Sequence, residues 1–185
     1  MAVRIYISLL SREFKKLKLL ENNDTYKTLI DKKYKTREDY NLLKSLREDF
    51  GFSVFQFNND IKNIRKHYGH NMQSQVGQKL AKRLWTSFDK YFYGNGKEVS
   101  YKKRGTIHSL EGAFNYNGII FTNNKVLYLI MSIPVIIPKD GYVQELLKGK
   151  IWYVRIMRKM GKKKYQYYIQ LIIDGKTLEK EPFNV

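Results

Sequence analysis

The amino-acid sequence predicts an α+β protein in which a helical bundle is inserted after the first strand of a small antiparallel β-barrel or sandwich. Three observations carry this expectation. Apolar residues recur at helical spacing over much of residues 11–93, in segments joined by short loops. Beyond Gly96 the pattern changes to short alternating runs with turn residues between them. Ahead of both, Val3 to Leu9 alternates apolar residues, imperfectly, with Arg4 and Ser8, and reads as a strand. The implied organisation is a first barrel strand at 1–10, a helical lobe at 11–93 and the remainder of the barrel at 94–185.

After the leading strand, Phe14, Leu17, Leu19 and Leu20 either begin a helix or extend that strand. Thr36 followed by Glu38 and Asp39 is a helix start, because acidic residues suit the first turn. Gly51 breaks that pattern, and Ser53 caps a helix carrying Val54, Phe57, Ile61 and Ile64. Arg65, Lys66 and His67 give this helix a basic end before Gly69. The longest helix opens near Asn71, with Met72, Val76, Leu80, Leu84 and Phe88 on one stripe and Ala81 and Trp85 beside them. Gly94-Asn95-Gly96 stops it.

Short strands are then expected at Val99–Tyr101, Ile119–Phe121, Val126–Ile130 and Ile133–Ile137, with Asn123-Asn124 as a hairpin turn. Tyr142–Leu147 reads as one or two helical turns. The final pair is the clearest: Trp152, Val154 and Ile156 alternate along one strand, and Tyr165, Tyr167, Ile169, Leu171 and Ile173 along the next. The turn between them is Met160-Gly161-Lys162-Lys163-Lys164.

The 185 residues carry 35 Lys and Arg against 17 Asp and Glu, a formal charge of +18. A surplus of that size repels itself in the compact state and attracts polyanions, nucleic acid first and an anionic membrane surface second. Aromatic residues make up 15% of the chain. With no cysteine, disulfide scaffolds, cysteine zinc sites and thiol catalysis are excluded. No run approaches the roughly 18 apolar residues of a membrane span; the nearest, Val126 to Pro138, is broken by prolines. A cytoplasmic protein is the expectation.

Two basic clusters point to phosphate binding. Arg155, Arg158, Lys159, Lys162, Lys163 and Lys164 place six positive charges within ten residues without an acid, a clamp at a strand edge or, in the plainer reading, a solvated charged turn. Lys97, Tyr101, Lys102, Lys103 and Arg104 form the second, in which Tyr101 is either a stacking platform or a core strand residue. Lys79, Lys82 and Arg83 give the long helix a basic flank suited to an A-form backbone, or simply a wet face. Trp85 reads as core. His108, Ser109 and Asn115 are donors for a phosphate or 2′-OH, or loop caps. His67 and His70 lack a third metal ligand nearby, and no phosphate-cradling glycine loop, nucleophile triad or cofactor motif is present.

The stretch QKLAKRLWTSFDKYFYGNGKEVSYKKRG, then HSLEGAFNYNGIIF, then KIWYVRIMRKMGKKKYQYYIQLIIDGKTLEK, resembles the N-terminal half of TnpB proteins, the transposon-associated RNA-guided nucleases related to type V CRISPR effectors. The resemblance covers roughly residues 40 to 180 and rests on the order of the pieces. It implies a wedge domain, an oligonucleotide-binding-like β-barrel, carrying a helical recognition lobe. It also implies that the RuvC-like carboxylates would fall beyond Val185, so nuclease activity is not expected of this chain alone. Its own acids, among them Glu48, Asp49, Asp60, Asp89, Glu111, Asp140 and Asp174, are scattered over helices and turns. The expected partners are a structured guide RNA, the guide–target duplex or adjacent duplex DNA, and a separate RuvC-like nuclease chain or CRISPR effector. The competing reading is a protein-binding module that docks onto such an effector, or a decoy that competes for its guide RNA. A truncated relic is the third reading, against which the intact alternation of the last hairpin argues.

Overall fold

A computed structural model describes residues 2–69, 71–94, 99, 107–162 and 164–174. The class is mixed, five longer helices followed by antiparallel sheet. The chain divides into two units, Met1–Met72 with Leu80–Ile107, and Gln73–Lys79 with His108–Val185. The division falls inside helix α5, whose first turns group with the second unit. No helix among the described residues is long and apolar enough to cross a membrane.

The first unit corrects the expectation of a leading strand. Residues Ala2–Glu21 form one helix, α1, and there is no strand at 3–9. Ile5, Leu9, Leu10, Leu17 and Leu20 are buried, spaced for one helix face, and no Gly or Pro interrupts the run. Seven residues of imperfect alternation are too short a window against a twenty-residue helical period. The helical lobe is therefore not an insertion after a strand.

Helices α2 (Asp24–Asp31), α3 (Arg37–Asp49), α4 (Val54–His67) and α5 (Ser74–Phe92) follow. Their starts are chemical. Asn23 accepts from the Tyr26 amide, Ser53 from the Gln56 amide, and Thr36 and Asp39 form a reciprocal capping box. Gly51, Gly69 and Gly94 take positive φ at the ends of α3, α4 and α5, as their breaker reading requires. The expected start of α5 near Asn71 moves to Ser74; Met72 precedes it, buried, with its carbonyl accepting from Arg65 Nε at 2.8 Å. The core of this unit is aromatic. Phe52 and Phe57 lie 5.4 and 5.7 Å from Phe88, and Trp85 meets Phe57 edge-on at 5.6 Å. Trp85 is thus packing, as its place beside the stripe suggested.

The second unit holds two antiparallel three-stranded sheets. One has the order β1 (Ser109–Glu111), β5 (Ile151–Met160), β6 (Tyr165–Ile173); the other β2 (Ile119–Thr122), β3 (Lys125–Tyr128), β4 (Met131–Pro134). Helix α6, Gly141–Leu146, is capped by Asp140. Neither sheet closes into a barrel among the described residues. Three-residue and four-residue strands leave little ladder with which to tilt and close, and Pro134 puts no N–H on the β4 edge. Of the expected Ile133–Ile137 strand, pairing runs to Pro134 and one further bond, from the Val135 amide to the Asn124 carbonyl at 2.9 Å, and ends where the β2–β3 turn leaves no partner strand. The expected strand at Val99–Tyr101 lies outside the described residues apart from Val99, which is buried and outside any strand.

Asn123 and Asn124 both take positive φ, the two-residue turn that joins β2 to β3. Ile119, Val126 and Val154 are fully buried. The segment from Gly112 to Gly118 ties the sheets together. Gly112 and Asn115 donate their amides to Val154 and Trp152 of β5. The Asn115 side chain then accepts from the Phe121 amide at 2.7 Å and donates to the Phe121 carbonyl at 3.1 Å, replacing a strand neighbour for β2. A Cβ on Gly112 would meet the Ile119 backbone nitrogen at 3.1 Å, so the two backbones approach as closely as only glycine allows.

Candidate nucleic-acid interface

The β5–β6 hairpin carries the basic cluster. Its register pairs Arg158 with Tyr167, Lys159 with Gln166 and Met160 with Tyr165. Cross-strand partners share a face, so Arg158, Tyr165 and Tyr167 stand on one side and Lys159, Gln166 and Tyr168 on the other. The Arg158 guanidinium lies 4.4 Å from the Tyr165 ring centre, and Lys159 Nζ 5.5 Å from that of Tyr168. Each cation is held over a ring, worth about 0.5–1 kcal/mol where exposed. The Tyr168 hydroxyl and Gln166 share a 2.6 Å hydrogen bond. Gly161 donates to the Lys164 carbonyl to close the turn, leaving Lys162 and Lys164 exposed at the tip. Tyr167 is 68% exposed.

Arg155 departs from the clamp. Glu111 of β1 accepts from its guanidinium at 2.8 and 3.0 Å, and Gln170 from Nη1 at 3.0 Å. An acid absent from the local sequence thus arrives through strand pairing and compensates Arg155 in the sheet. His108 is exposed, and its carbonyl accepts from the Arg158 amide. Ser109 lies in β1 opposite Met157. Asn115 serves as a structural cap with both ends of its amide in use.

On α5, Lys79 is half-buried with Nζ 5.2 Å from the Tyr153 ring centre. Lys82 is exposed and Arg83 half-buried, aligned with Lys79 by spacings of three and four residues. Lys97, Tyr101, Lys102, Lys103, Arg104 and Lys163 lie outside the described residues, as does His70. No cluster of three or more His, Asp or Glu able to hold a metal occurs among the described residues.

One polar group escaped sequence reading. Glu13 and Asp60 are completely buried in the first unit and both lean on Lys16, Glu13 at 3.0 Å. Arg12 reaches Asp60 at 3.1 Å, and Gln56 donates to it at 3.1 Å. Burial, offset in part by Lys16 and reinforced by Asp60, pushes the Glu13 carboxyl up to about 7. The signal was available: Glu13 sits four residues after Leu9 and four before Leu17, inside the apolar stripe of α1.

No protein-family model, curated protein or solved structure matches the chain.

Proposed function

We propose that this chain is a nucleic-acid-binding module that grips structured RNA through the far end of the β5–β6 hairpin. One observation carries the reading. Within a few residues, two cations lie over tyrosine rings, two exposed lysines form the turn, and Tyr167 stands open. Lysine and arginine neutralise phosphates while tyrosine faces accept bases or riboses, a combination suited to a strand that is partly unpaired. The formal charge of +18 draws such a partner over distance. The resemblance to the N-terminal half of TnpB-like effectors names the partner as a guide RNA, with duplex DNA or a separate nuclease chain joining it. In that arrangement base pairing reads the sequence while the protein reads shape.

Retained nucleic acid provides the test. The chain is purified through high-salt washes and whatever stays bound is sequenced. A single defined RNA, lost when Arg158, Lys159, Lys162 and Lys164 are replaced by glutamine, supports the reading. A mixed population stripped by moderate salt refutes it in favour of generic polyanion affinity.

A second reading has its own observation. The β3–β4 turn, Leu129-Ile130, is apolar, Leu129 takes a positive φ of 54°, and Ile130 and Ile136 are fully exposed. An apolar, strained turn at the surface suits docking onto a protein, here a nuclease chain of the resembled class. Such docking would depend weakly on salt.

A further inference from the structure

The first unit contains a cleft of about 260 Å³ between α3, α4 and the end of α5. Arg47 and Phe52 form its floor and are 8% and 1% exposed. Trp85, Phe92 and Tyr93 supply aromatic wall, and Asp89 stands half-buried beside them. The Arg47 guanidinium lies 4.7 Å from the Phe92 ring centre and 5.4 Å from that of Tyr93, and Nη2 donates to the Phe92 carbonyl at 3.2 Å. Among the described residues no carboxylate pairs with Arg47, and its buried Nε–H finds no acceptor. A buried donor is rarely left unmade. Lys44 and Glu48 line the same cleft and are exposed, so their charges offset each other toward solvent.

We propose that this cleft takes an unpaired guanine base between its aromatic side chains, with Arg47 donating to the base and Asp89 accepting from it. The choice of base follows from the donor inventory. Arginine only donates and an ionised aspartate only accepts. Guanine offers two acceptors, O6 and N7, on one edge, and donors N1–H and N2–H on another. Adenine offers Arg47 one acceptor, N7, beside its N6 donor and is met bidentately by Asn or Gln, neither of which lines the cleft among the described residues, whereas guanine offers the arginine fork two acceptors. A flat ring in an aromatic cleft gains stacking that is indifferent to base identity, so the polar pair decides the choice. Presented by a strand, the base rests on the nucleic-acid reading above; presented as a free nucleotide, it does not.

Trp85 makes the test direct. The chain has two tryptophans, and Trp152→Phe in the second unit leaves Trp85 as the reporter. GMP, IMP, 7-deaza-GMP and AMP are titrated into this full-length variant. Saturable quenching by GMP is expected, with affinity about 10-fold or more lower for IMP, which lacks the N2 amine, and for 7-deaza-GMP, which lacks N7. Asp89→Asn should erase the preference for GMP over IMP. Equal quenching by all four nucleotides, or none, overturns the proposal. Anisotropy with single-stranded RNAs that contain or lack one guanine separates the two readings. Equal, salt-sensitive binding of both RNAs without selective quenching by GMP discards the cleft and keeps the hairpin. GMP binding without any RNA binding keeps the cleft and discards the hairpin.

Discussion

Glutamine in place of Glu13 should stabilise the protein at alkaline pH and leave it nearly unchanged in acid. Glu13 lies at zero exposure with Lys16 and Asp60 against it, and burial holds its carboxyl near 7 against an ordinary 4.5. The folded-state value is raised, so between these two values the folded chain binds a proton that the unfolded chain has released. Stability is therefore full below about 4.5 and declines as pH rises toward 7. At roughly 1.4 kcal/mol per unit, the loss between pH 5 and pH 8 is about 2–3 kcal/mol. Glu13→Gln keeps the neutral form throughout, and Lys16 and Arg12 retain Asp60 as a partner. Urea unfolding followed by Trp85 fluorescence in the Trp152→Phe background reads the helical unit. The variant should exceed its parent by about 2–3 kcal/mol at pH 8 and by under about 1 kcal/mol at pH 5. A difference that stays constant with pH, or a variant weaker at pH 8, would refute the assignment of this titration to Glu13.

Three further outcomes are expected. Asn115→Ala removes both hydrogen bonds to Phe121 and should cost about 2 kcal/mol, with loss of protection at the Phe121 amide in hydrogen exchange. Leu129→Asn should stabilise by about 0.5–1 kcal/mol in denaturant titrations, because asparagine tolerates the left-handed φ that leucine resists. Arg155→Gln should lower the melting temperature by stranding Glu111, yet leave the salt dependence of RNA binding unchanged, since Glu111 already compensates that charge.

Local chemistry was legible wherever one residue type answers one backbone need. Thr36, Ser53 and the Asn123-Asn124 turn all stand where their side chains or φ preferences put them. The hairpin of β5 and β6 was legible because nine or ten residues of alternation define a register. Residues 3–9 misled because alternation over so short a span competes with a helical period that shows only when extended to Leu20. Barrel closure was not legible, since it depends on how short strands pair at their edges. In the β5–β6 hairpin, sequence proximity grouped Arg158, Lys159, Lys162 and Lys164 but did not reveal the pairing of Arg155 with a glutamate 44 residues earlier. The Arg47 cleft was invisible for the same reason: its residues come from α3, the loop before α4, and the end of α5.

The salt dependence of RNA binding tests the central claim most directly. Affinity of the intact chain for its retained RNA is measured from low to moderate salt, beside a variant with Arg158, Lys159, Lys162 and Lys164 replaced by glutamine. If the hairpin grips phosphates, the slope of log affinity against log salt should shrink by about 3–4, at roughly 0.7–0.9 for each phosphate that is no longer neutralised. An unchanged slope and affinity in a variant that folds normally would contradict the account.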